Sequence, residues 1–128
     1  MGEIVAGAVA AARASAAEQQ RALRLAQEAF RGERSVVNRV RLATLLAALP
    51  SPLRDDSAAY ALLRPLAATQ RESPLQDFAA LLASQVADRL RLARESEQAA
   101  REHERSMRVA EQREQSLREQ QQTLREQL

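Results

Sequence analysis

The chain has 128 residues, enough for one domain or a small domain with an extension, and is rich in Ala, Leu, Gln, Glu and Arg, with two Phe, one Tyr and no Trp. All 19 of its basic residues are Arg, set against 17 acids; the high isoelectric point reflects how firmly a guanidinium holds its proton, not a basic patch. Zero Cys excludes disulfides, thiolate nucleophiles and thiolate metal sites. Residues 1–32, 33–74 and 75–128 carry four, six and nine Arg against three, four and ten acids, so no segment concentrates the positive charge that favours nucleic acid.

β-branched residues are too few and scattered for strands. The expected class is all-α: a short helical-hairpin domain of three helices, then a very long C-terminal helix forming a coiled coil. The helical domain is expected over residues 1–95, with helices near 3–31, 33–49, 56–70 and 74–95. Residues 96–128 extend the fourth helix as coiled coil.

In the first helix, Val5, Val9, Ala12, Ala16, Leu23, Ala26 and Phe30 form one apolar stripe, weak around "AEQQRA". Gly32 is the expected stop, in the left-handed conformation. "IVAGAVAAA", residues 4–12, is only superficially like a signal h-region. No positive residue precedes it, and no stretch reaches the roughly 20 apolar residues of a membrane span.

The second helix holds the most apolar stretch, "VVNRVRLATLLAALP". Val36, Val40, Leu42, Leu45, Leu46 and Leu49 are expected to be buried, and Pro50 and Pro52 end the helix. The third begins at Asp55 or Asp56, whose carboxylates suit a helix start. Tyr60, Leu63, Leu66 and Ala67 mark its inner side, and Pro65 predicts a kink or early stop near Arg64.

"SPLQ", residues 73–76, opens the fourth helix with Ser73 as N-cap, Pro74 in the first turn and Gln76 completing a capping box. Nothing after Pro74 breaks it. Leu75, Phe78, Leu82, Val86, Leu90 and Ala93 form an apolar face, widened by Leu81. Beyond Ser96 the face narrows to Ala100, His103, Met107, Ala110, Glu114, Leu117, Gln121, Leu124 and Leu128. Spacings of three and four alternate there, which is a heptad repeat. Met107, Ala110, Leu117, Gln121, Leu124 and Leu128 are the candidate protein-interaction residues. Glu97–Arg101, Glu104–Arg108 and Glu114–Arg118 are i,i+4 pairs in the favourable order, each contributing about 0.2–0.5 kcal/mol.

Site chemistry is sparse. His103 is the single histidine and lacks the second His that a helical zinc site needs four residues on. Asp55 and Asp56 are explained by capping. No base stands near a hydroxyl and no glycine-rich phosphate loop exists. The expectation is a non-enzymatic protein with no cofactor and no metal. Arg91 and Arg94, on one side of the fourth helix, and Arg34 and Arg41, flanking the second, are more simply a solvated face than a contact surface.

The segment "NRVRLATLLAALPSPLRDDSAAYALLRPL", residues 38–66, resembles the QseG-type family of proteobacterial outer-membrane lipoproteins. That family shows an apolar helix ending in Leu-Pro, an Arg-Asp start to an Ala/Leu helix and a Glu/Arg/Gln-rich coiled coil, as residues 92–128 do here. The resemblance spans roughly residues 20–128. It implies a periplasmic protein anchored to the outer membrane by a native lipid. Its partner would be the periplasmic domain of a two-component sensor histidine kinase, regulated through helix–helix contacts. The signal peptide and lipobox Cys of that family are not in these 128 residues. Two other readings rest on the helices alone: a structural coiled-coil protein whose tail drives homo-oligomerisation, and a cytoplasmic helical-repeat adaptor.

Overall fold

The computed structural model describes residues 1–69 and 72–128. Its elements are α1 (Gly2–Ala12), α2 (Ala16–Gly32), α3 (Val36–Ala48), α4 (Asp56–Ala67) and α5 (Pro74–Gln127), with no strand among the described residues. The all-α class and the long C-terminal helix are as expected. The chain divides into two compact units, Met1–Arg91 and Leu92–Leu128, and α5 contributes to both.

The first expected helix, 3–31, is two helices. Ser15 takes an extended backbone and its hydroxyl accepts a hydrogen bond from the Glu18 amide at 3.2 Å, starting α2 afresh. The buried Gln19 amide donates to the Ala12 carbonyl at 3.2 Å and satisfies the open end of α1. Those bonds fix a break that "RASAAE" disguises, because it contains neither Gly nor Pro. Ser15→Ala removes the cap and is expected to cost about 1 kcal/mol in denaturant unfolding. A loss indistinguishable from zero would mean that packing alone sets the break.

The break also shifts the buried face of α1. Ile4, Ala8 and Ala11 point inward, while Val5 and Val9 are 41% and 47% exposed. Gly32 is not left-handed; no glycine has positive φ, and Glu33 ends α2 in an extended conformation. The Asn38 side-chain amide donates to the Ala29 and Glu33 carbonyls at 3.3 and 3.0 Å, covering groups that a helix C-terminus leaves open.

The second expected helix, 33–49, is α3, which starts later because Ser35 caps it through the Asn38 amide. α3 is the centre of the first unit and packs against α1, α2 and α4. Leu42 through Ala47 are all buried, including Thr44, whose hydroxyl donates to the Val40 carbonyl at 2.7 Å. Val36, expected inside, is exposed at the first turn. Pro50 follows the end of α3, and the Asp55 amide reaches back to the Leu46 carbonyl at 3.0 Å.

Asp55 caps α4, accepting from the Ala58 amide at 3.0 Å. Pro65 neither stops α4 nor ends it at Arg64; the helix continues to Ala67. Proline this near the end forgoes one backbone bond, and the buried Leu66 draws the last turn onto the core. The third helix was expected to reach residue 70, which lies outside the described residues.

Two clusters make the core. One gathers Ala8, Leu23, Ala26, Leu45, Leu46, Leu49, Ala59 and Val86. The other gathers Ile4, Val40, Ala43, Leu63, Leu66, Ala79 and Ala83. The first helix therefore packs within its own unit. At the start of α5, Ser73 accepts from the Gln76 amide at 3.3 Å, as expected of the cap, while Gln76 Oε1 accepts from the Glu72 amide at 2.7 Å. The inward stripe of α5 is Ala79, Ala83 and Val86; Leu81 is 59% exposed and Ala93 is exposed.

Candidate helix-docking surface

The second unit begins at Leu92 and every residue in it is exposed. Met107, Ala110, Leu117, Gln121 and Leu124 all lie on α5, at spacings that alternate between three and four once Glu114 is counted among them, and Leu128 follows its last residue, Gln127. At 3.6 residues per turn these positions fall along one side of the helix. The helix holds its own backbone bonds but gives these side chains nothing to bury against. Met107 is 50%, Leu117 58% and Leu124 62% exposed. Three large apolar side chains thus stand open to solvent along one side of the helix.

The rest of the second unit favours the helical state without covering the seam. Arg108 pairs with Glu104 at 2.7 Å, Arg118 with Glu114 at 2.6 Å and Arg101 with Glu97 at 3.7 Å. The Thr123 hydroxyl donates to the Glu119 carbonyl at 2.9 Å. Gln115 and Gln122 reach Glu119 and Glu126 at 3.5 Å. His103 lies in the same stretch, exposed.

The first unit holds functional-looking residues of another kind. Arg89 Nη2 donates to Asp56 Oδ1 at 2.7 Å and to the Ala47 carbonyl at 3.0 Å, joining α5 to the first turn of α4 and the end of α3. Its Nε is buried without a hydrogen-bond partner. Sequence reasoning missed this residue. Its signal is an Arg at the inner edge of an apolar stripe, and its partner lies 33 positions away. The pair is partly exposed, so its coupling is modest. A double-mutant cycle with Arg89→Gln and Asp56→Asn is expected to give about 1 kcal/mol in unfolding experiments; additive losses would show that the two side chains do not interact.

Of the arginines singled out from the sequence, Arg34 lies over the Phe30 ring, 5.5 Å from its centroid. Arg39, not singled out, lies over the same ring at 5.1 Å and donates to the Leu62 carbonyl at 3.3 Å. Arg41 donates to Asn38 Oδ1 at 3.2 Å and Arg91 pairs with Asp88 at 3.4 Å. Arg94 is exposed. These contacts stay within the chain and gather no common site.

A groove between α1 and α2 is lined by Ile4, Gly7, Ala22, Leu25 and Ala29, with Glu3 and Arg41 its charged members. No group of three or more His, Asp or Glu side chains suited to a metal occurs among the described residues. No helix among them is long and apolar enough to cross a membrane. Comparison of the chain with family models, with curated proteins and with solved structures finds no match.

Proposed function

We propose that this chain is a non-enzymatic helical adaptor that takes a partner's helix on the exposed seam of its C-terminal unit. The observation that carries the reading is the unburied stripe of Met107, Leu117 and Leu124 on a helix whose other faces are mostly charged or polar, Val109 excepted. Apolar side chains at heptad spacing gain free energy when a second helix covers them, by roughly 25 cal/mol per Å² removed from water. An amphipathic helix face is a common means of recognising another helix.

The resemblance of residues 38–66 to QseG-type lipoproteins makes the periplasmic domain of a sensor histidine kinase the partner to test first, with the native protein anchored in the outer membrane. Supporting it are the Leu49-Pro50 end of α3, the Arg54-Asp55 start of α4 and the Glu/Arg/Gln-rich helix beyond them. The experiment is calorimetric titration of such a kinase domain with the wild-type chain and with the Leu117→Gln, Leu124→Gln variant. Binding by the wild type and its loss in the variant support the reading. Equal binding by both excludes the seam as the kinase site.

A further inference from the structure

We propose that the seam of residues 103–128 takes a second copy of this chain, running antiparallel, with Met107 level with Leu124 of the second copy. The proposal rests on the reading of the seam as a helix-docking face and names its occupant from the charges beside it.

The seam positions divide into two sets, Met107, Glu114, Gln121 and Leu128, and His103, Ala110, Leu117 and Leu124. One flank then carries Glu104, Glu111, Arg118 and Arg125; the other carries Ser106, Arg113, Gln120 and Gln127. Flanking charges set the partner and direction of a helix pair. In a parallel pair each flank faces the opposite flank of the other helix. Arg113 would then oppose Arg118 of the second copy, and again by symmetry, while neither flank supplies an Arg–Glu match. In an antiparallel pair each flank faces its own kind. The first flank reads acid, acid, base, base, so it complements itself when reversed.

The alignment that sets Met107 against Leu124 of the second copy also brings Ala110 to Gln121 and Glu114 to Leu117. It places Glu104 beside Arg125 and Glu111 beside Arg118, each contact occurring twice. Arg113 then faces Gln120, so no like charges meet along the flanks; within the seam the two Glu114 side chains stand in adjacent layers, about 4.5 Å apart along the axis. Moving the second copy by one heptad toward the N-terminal side sets Glu111 against Glu111 and Arg113 against Arg113. One register is therefore favoured. Glu111 and Arg125 have no ion pair within the chain among the described residues, so both are available to a second copy. Glu114 enters the seam with its charge already held by Arg118, and a guanidinium has donors enough for a further carboxylate.

The chain has no native Cys, so engineered thiols report alone. Ala110→Cys and Gln121→Cys proteins are purified separately, oxidised alone and as a mixture, and read by non-reducing electrophoresis. The antiparallel alignment sets position 110 against 121, within disulfide reach, and separates 110 from its own equivalent by about 16 Å, well beyond it. The expected result is a cross-linked dimer from the mixture at least tenfold faster than from either protein alone. Rapid cross-linking of Ala110→Cys alone would show parallel pairing and overturn the proposal, leaving the helix-docking reading intact. No cross-linking in any sample, with helicity retained by circular dichroism, would also overturn it. The docking reading falls separately, if Leu117→Gln with Leu124→Gln alters association with neither a second copy nor the kinase domain.

Discussion

Leu63→Ala is expected to lower the stability of the first unit by about 2–5 kcal/mol. Leu63 is fully buried where four helices meet: Ile4 from α1, Val40 and Ala43 from α3, Leu66 from α4, and Ala79 and Ala83 from α5 lie in the same cluster. Four of these six neighbours are alanines or a valine on other helices, with little reach to fill the space. The truncation loses the transfer free energy of the leucine and leaves a cavity. Against about 5–15 kcal/mol for a typical domain, that is a large fraction of the whole. Urea unfolding should show a lower midpoint with an unchanged slope. A loss below about 1 kcal/mol would mean that these helices collapse around the gap and that the cluster is not closely packed.

The second large effect is expected in the other unit and on another property. Leu117→Gln with Leu124→Gln should leave the unfolding midpoint of the first unit unchanged, because both side chains are exposed and lie outside both core clusters. Helix propensity changes little between Leu and Gln. Association with another helix should be lost, since the substitution removes the two leucines central to the seam. The separation of the two effects is the point. A variant that both unfolded and dissociated would show that the tail contributes to the first unit's stability.

Much of the architecture was legible. Pro50 and Pro52 after α3, Asp55 at the start of α4 and Ser73 at the start of α5 carry local signals that act within one turn. The heptad spacing beyond Ser96 is likewise local, because it needs only the period of one helix. What was hidden depends on longer reach or on a phase change. The break at Ser15 has the Ser-Ala-Ala-Glu spacing of a capping box, but alanines on both sides extend the helical pattern through it. Once the break is missed, the phase of α1 is wrong, and Val5 and Val9 stand where Ile4 and Ala8 belong. Pro65 points to a kink or an early stop near Arg64 because its cost is local and visible, whereas the pull of Leu66 on the core is not. Arg89 is the clearest case at the level of single contacts. Its role depends on Asp56 and the Ala47 carbonyl, which only the fold brings to it. The candidate surface was legible as a stripe of residue types; the structure adds that the stripe is open to solvent.

The exposed seam is proposed to receive a helix, that of a second copy when the chain is alone. Sedimentation equilibrium over a wide concentration range, on the wild type and on the Leu117→Gln, Leu124→Gln variant, tests it most directly. The wild-type mass is expected to rise with concentration from 14.2 kDa to twice that value, with the variant remaining at the monomer mass. The same mass for both proteins at every concentration, whether monomer or dimer, would contradict it.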